Sequence, residues 1–210
     1  PAGRALNIAW PVFIAASFLF SLATSTTNGF VVTFVQYVMP TPDDTIASTA
    51  TGAVILASGV AIIASQLAGS LFGVQGRGTL SWSAGAVLCS ASLVVMLTAP
   101  TGAIFLTAAA VFGLGFGIAN GVELSIILAL RPNHTHLGRD LGLFTAATTA
   151  PYVLVPILAA LALADDPSTG VLVLFGLAAI FAAVGAVLTA STNRAVRNSA
   201  LSAAELRNHS

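Results

Sequence analysis

Long apolar stretches alternate along the chain with short polar connectors, and the length of the stretches decides what they are. Charge-free apolar runs extend over about Trp10–Met39, Ser48–Phe72, Thr79–Ala99, Gly102–Leu130, Leu141–Ala164 and Gly170–Ser191. Each meets or exceeds the ~20 residues that a helix needs to cross a hydrocarbon core. The runs are continuously apolar, without the ten-residue alternation of barrel strands, so helices are expected. Breakers gather in the connectors: Pro40 with Pro42, Asp43 and Asp44, then Gly73 to Gly78, Pro100 with Gly102, Arg131 to Asp140, and Asp165-Asp166-Pro167. The pattern predicts an all-α membrane protein, a six-transmembrane-helix bundle over residues 1–192 with a polar tail, 193–210.

Composition agrees with that pattern. Of 210 residues, 57% are hydrophobic and only 7% charged, whereas a soluble domain carries roughly a quarter charged residues. The lipid bilayer is therefore the expected surrounding partner. A formal net charge of zero removes the electrostatic case for nucleic-acid binding. The single cysteine, Cys89, cannot form an internal disulfide and reads as a small packing residue. The chain opens on Pro1 and has no charged leader followed by a short apolar region, so a fragment lacking its N-terminal part is expected.

Charge placement gives an orientation. With six crossings, Arg4, Arg77, Arg131, Arg139, Arg194, Arg197 and Arg207 fall on one side, and the pairs Asp43-Asp44 and Asp165-Asp166 on the other. By the positive-inside rule both termini and the 193–210 tail are cytoplasmic, in a multi-pass protein of the cell membrane.

Within the runs, Gly113, Gly117 and Gly121 recur every four residues, and Gly69 with Gly73 repeats the spacing. Small residues at that interval let membrane helices approach closely. On an ideal helix Asn120 shares the face of Gly113 and Gly117. Pro151 and Pro156 each remove a helical hydrogen bond from the fifth run, which fits either a tolerated kink or a gating hinge.

Glu123 is the one charge set inside an apolar run. A carboxylate in hydrocarbon is costly unless protonated, paired or facing a wet cavity, so an intramembrane acid is a functional candidate. It precedes Arg131 by eight residues, about 12 Å of helix. It fits a proton- or cation-coupling group or a gate residue paired across helices; a structural hydrogen bond is the bland alternative. Asn28, Gln36, Asn120 and Gln66 could line a solute path, Asn28 being placed deepest in its run, while Tyr37 and Thr33 add further polar groups. Tyr37 also fits an interfacial aromatic belt.

Other patterns carry less. Gly113-Leu-Gly-Phe-Gly117 lacks the strand–turn–helix setting of a nucleotide loop. His134 and His136 have no third ligand nearby, so no metal or other cofactor is expected. All three histidines lie outside the runs, which leaves no nucleophile–base set and argues against an enzyme.

Two stretches do resemble a known family. Gly69-Ser-Leu71-Phe-Gly73-Val74-Gln-Gly76-Arg77-Gly78 is similar to the G-x-L-x-D-R-x-G-R-R cytoplasmic loop of major facilitator superfamily transporters, with Gly73 and Val74 in place of the usual Asp and Arg. Gly138-Arg139-Asp140-Leu-Gly142-Leu-Phe144, followed by Pro151 and Pro156, resembles the opening of the eleventh helix in bacterial members related to glycoside and sugar cation symporters. Gly121-Val-Glu123-Leu-Ser125 matches an acidic pattern of that subgroup's preceding helix, with Glu for Asp, and the stretch from Gly29 to Met39 looks like its seventh helix.

The resemblance implies the C-terminal half of a twelve-helix major facilitator fold, whose partner would be the missing N-terminal six-helix half. It implies alternating access to a small-molecule solute and a coupling ion, with Arg139 and Asp140 at a cytoplasmic gate and Arg77 in the loop. The expected function is proton- or cation-coupled transport of a sugar-like solute. A multidrug or metabolite exporter is the alternative within the class, and a non-transporting membrane subunit or inactive fragment the alternative outside it.

Overall fold

The computed structural model describes residues 2–39, 42–72, 77–130 and 137–208, with side chains for 8–39, 42, 44–72, 77–130 and 138–193. They form seven α-helices and no strand: α1 (Ala2–Tyr37), α2 (Asp43–Phe72), α3 (Gly78–Leu97), α4 (Gly102–Leu130), α5 (Leu137–Thr149), α6 (Pro151–Ala162) and α7 (Pro167–Asn208). The six runs become six helical crossings, α5 and α6 together making the fifth. Their ends follow local chemistry. Asp166 caps α7, accepting from Ser168 N at 3.0 Å, with Pro167 in the first helical position, where its missing N–H costs nothing. Thr101 Oγ1 accepts from Ile104 N at 3.4 Å at the start of α4. The last helix does not stop where the sixth apolar run does; α7 continues through the stretch read as a tail, to Asn208.

The proline expectation resolves into two cases. Pro151 divides the fifth crossing because it has no N–H to give the Ala147 carbonyl, and Val153 and Leu154 both turn to Ala150 O at 3.1 Å. Ala150 itself keeps helical dihedrals, φ −52° and ψ −36°, so the chain runs on without a wide turn. Pro156 lies inside α6 and does not interrupt it.

Packing shows an internal symmetry. α3 lies on α4 as α7 lies on α1, α2 lies on α4 as α5 and α6 lie on α1, and α3 and α7 meet at the centre. Exchanging the first three crossings for the last three preserves those contacts, although α1 also packs on α2 and, among the described residues, α4 has no comparable contact with the fifth crossing; because three is odd the two units run in opposite senses across the layer. The sequence carries the same relation: Phe13, Ala16, Phe20, Leu22, Asn28, Gly29 and Pro40 recur at one constant offset as Phe105, Ala108, Phe112, Leu114, Asn120, Gly121 and Pro132. Burial follows it too, with both phenylalanine pairs buried and both asparagines exposed.

The two units are not equally tight. A Cβ built on Gly113, Gly117 or Gly121 would run into the carbonyl oxygens of Ala57, Ala61 or Ser65, so α2 and α4 meet backbone to backbone. A second close approach joins α3 to α4, where a Cβ on Gly85 would fall 2.5 Å from Gly115 O. The matching positions of α1 are Ser21, Ser25 and Gly29, and Gly29 meets nothing within 4 Å.

Candidate functional site

The site is built where α1, α3, α4 and α7 converge, in the half of the bundle nearer the two termini. Trp82, four residues into α3, is wholly buried. Phe13 meets its indole edge-on at 5.8 Å and Phe20 lies tilted at 5.0 Å, both from α1. Phe20 also stacks on Phe116 of α4 at 6.3 Å, and Phe13 on Phe144 of α5 at 6.1 Å. These rings form one continuous ladder from α5 through α1 and α3 to α4, each pair within the 4.5–7 Å range of favourable aromatic contact.

Glu123 stands two helical turns beyond Phe116, on the same side of α4. It is half-buried, and its carboxyl lies beside the Trp82 indole, although no hydrogen bond of acceptable geometry closes between them. The acid expected to be functional therefore faces the bundle interior. Asp140, in the first turn of α5 and one turn before Phe144, is the second inward acid. The helix N-terminus favours a carboxylate there. Its contact with Arg139 is loose: Nε lies 3.9 Å from Oδ1, and the side chains are 83% and 7% exposed. As neighbours on one helix this pair does not tie two elements together. Arg77, ahead of α3, is exposed.

Asn28, Gln36, Gln66 and Asn120 are all exposed. Asn120 donates to Phe116 O at 2.8 Å, and it stands outside the buried glycine seam that Gly113, Gly117 and Gly121 form with α2. Asn28 borders a small space of about 20 Å³ together with Ala57, Met96 and Phe112, which has room for water and not for a solute. Tyr37 is exposed at the end of α1, and Thr33 is half-buried. The larger crevices, about 340 Å³ between α3 and α4 and about 170 Å³ between α1, α6 and α7, are lined by apolar side chains with few hydroxyls. Cys89 packs in the core, its Sγ 3.4 Å from Phe112 O. Among the described residues no three His, Cys, Asp or Glu side chains gather. Gly73 to Gly76 of the loop motif, and Arg131 with His134 and His136, lie outside the described residues, as do the side chains of Arg4, Asp43, Arg194, Arg197 and Arg207.

Sequence reasoning passed over Trp82 and the hydroxyls of α1. Ser17, Thr24, Ser25, Thr26 and Thr27 are all buried, and three of the threonines return their protons to carbonyls of their own helix, as Thr26 does to Leu22 O at 2.8 Å. The signal was present in the constant-offset repeat, which would have marked Val31 and Glu123 as equivalents and the acid as a departure from symmetry.

Fold and site together define a polytopic α-helical membrane protein with acidic groups turned into its bundle. No family model, no curated protein and no solved structure matches the chain.

Proposed function

We propose that this chain is a six-helix half of a secondary active transporter of major facilitator type. It moves a small sugar-like solute by alternating access, coupled to a proton or cation. The observation that carries the reading is Glu123, a carboxyl held beside the buried Trp82 indole inside a bundle of two opposed three-helix units. An acid so placed and absent from the symmetry-related position serves ion coupling better than packing. In this reading the arginine distribution supports cytoplasmic termini in a cell-membrane protein, with Arg139, Asp140 and Arg77 on that side. In this reading the exposed amides Asn28 and Asn120 face the other six-helix half and the solute between them. The apolar crevices favour export of amphipathic compounds as a second reading.

The test is uptake by proteoliposomes of the full-length protein, screened across sugars, other polar metabolites and amphipathic cations. Glu123→Gln is expected to abolish ion-driven accumulation while expression and folding persist. Undiminished pH- or sodium-dependent transport in that variant would remove Glu123 from coupling. Absence of flux for every solute class would favour a non-transporting subunit.

A further inference from the structure

Around Trp82 the structure leaves three buried polar atoms without a well-formed hydrogen bond, the indole N–H having the Glu123 carboxyl as a near acceptor. Ser17 Oγ, Trp82 Nε1 and Thr189 Oγ1 are buried without a hydrogen bond among the described residues, their residues only 1%, 0% and 0% exposed. They lie on three helices that meet at the indole. Phe13 and Phe20 both touch the indole, and Ser17 lies between them on the same face of α1. Gly185 brings α7 onto the same spot, since a Cβ there would stand 3.7 Å from Trp82 Cη2 and 3.0 Å from Ala16 O; Thr189 follows one turn later. Local carbonyls do not absorb these hydroxyls, although neighbouring ones are absorbed in that way: Ser83 donates to Thr79 O at 2.9 Å and Thr192 to Thr189 O at 2.8 Å.

A lone buried hydroxyl is an ordinary imperfection, but three unpaired polar atoms on helices that meet at one side chain call for a common explanation. Their chemistry is complementary. The indole only donates, each hydroxyl both donates and accepts, and the nearby Glu123 carboxyl supplies acceptors. One or two waters that accept from Trp82 and from the Ser17 and Thr189 hydroxyls and donate to Glu123 would serve all of them, since buried waters ordinarily make about three such bonds. One turn nearer the termini, Thr79 Oγ1 donates to Asn193 Oδ1 at 2.9 Å across α3 and α7.

We propose that the α1–α3–α7 seam binds one or two structural waters through Ser17, Trp82 and Thr189, linking the Glu123 carboxyl to the Thr79–Asn193 pair. The carboxyl is then served from inside the six-helix unit, not from the face that exposes Asn28 and Asn120. The site's importance for coupling rests on the transport reading; its existence does not.

Hydroxyl-radical footprinting by X-ray irradiation of the protein in lipid nanodiscs tests this, because radicals formed from a bound water oxidise side chains that bulk water never reaches. Trp82 is expected to be oxidised despite its burial. The double variant Ser17→Ala, Thr189→Val is expected to lower that rate at least about threefold, with oxidation of Trp10 unchanged. An unmodified Trp82 in the parent protein overturns the proposal by itself, whether or not the variant folds. So does a double variant with a raised melting midpoint, the result expected if the hydroxyls stood dry. Oxidised Trp82 together with unimpaired coupling in Glu123→Gln would keep the water site and remove the coupling role.

Discussion

Gly121 and Gly29 occupy matched positions in the two three-helix units and stand in opposite surroundings, so replacing each by alanine separates packing from backbone propensity. A methyl at Gly121 would collide with Ser65 O and lie 3.0 Å from Ser65 C and Cα, where ordinary contact begins at 3.4 Å. The obstacle is backbone, so α2 and α4 must part. An opening of roughly 0.5–1 Å forfeits about a quarter to a half of the dispersion energy of the atoms lining it, in keeping with the ~1–3 kcal/mol that overpacking costs. At Gly29 the same methyl meets nothing within 4 Å. Alanine there is expected to be neutral or to stabilise by up to about 1 kcal/mol, the helix preference over glycine. That preference is common to both sites, so the difference between the variants isolates the seam at about 1–3 kcal/mol. Reversible unfolding in micelles, read by circular dichroism or steric trapping, measures it. Two variants within about 0.5 kcal/mol of each other, a resolvable margin in such comparisons, would refute the backbone-to-backbone seam.

Asp166 predicts an acid-labile cap. Ser168 and Thr169 hydroxyls at 2.7 and 2.6 Å hold its carboxyl below the usual range, at about 2. A depressed carboxylate adds stability above its unfolded pKa and loses it as pH falls through the folded one. The cap's contribution should therefore fade between about pH 4 and pH 2, and Asp166→Ala should lower the melting midpoint at neutral pH and much less at pH 2, where about half of the folded-state carboxyls are protonated; an equal effect at both would rule the cap out. For topology, cysteines replacing Asp44 and Asp165 should react with an impermeant maleimide on intact cells, in a Cys89→Ala background, while one replacing Arg139 should not. Labelling at Arg139 alone would reverse the orientation.

The architecture was legible because lipid makes the pattern blunt: long apolar runs mark the crossings, so run length nearly equals the length of each crossing. The extra turns were harder to read. α2 begins at Asp43, ahead of the apolar run, because helix geometry continues through residues hydropathy discounts. Glu123 was readable as the one charge in an apolar run, but its surroundings were not. Trp82 resembles a belt tryptophan in sequence, and only the approach of Phe13, Phe20 and Gly185 shows it to be central. Asn120 was hard to place for a related reason: an ideal wheel sets it near Gly113 and Gly117, but the partner helix takes Gly121 as the next contact, leaving Asn120 exposed.

The same asymmetry identifies the crossing that should open most readily. Within their apolar windows α2 is 17% buried and the α5–α6 crossing 22%, so lipid shields both alike and burial does not separate them. Closeness of approach does. α2 rests on the glycines of α4, whereas α5 meets α1 through Phe144 on Phe13 and α6 buries only Pro151, Val155 and Ala159, with a crevice of about 170 Å³ beside it. Pro151 also leaves one helical hydrogen bond unmade in α5–α6. Local opening free energy falls where contact is sparse, so backbone amides from 142 to 158 should exchange with deuterium faster than those from 52 to 68. Mass spectrometry of the protein in nanodiscs reads both segments in one sample. Equal protection would mean that close backbone approach adds nothing to local stability in this bundle, and faster exchange in α2 would contradict the packing argument outright.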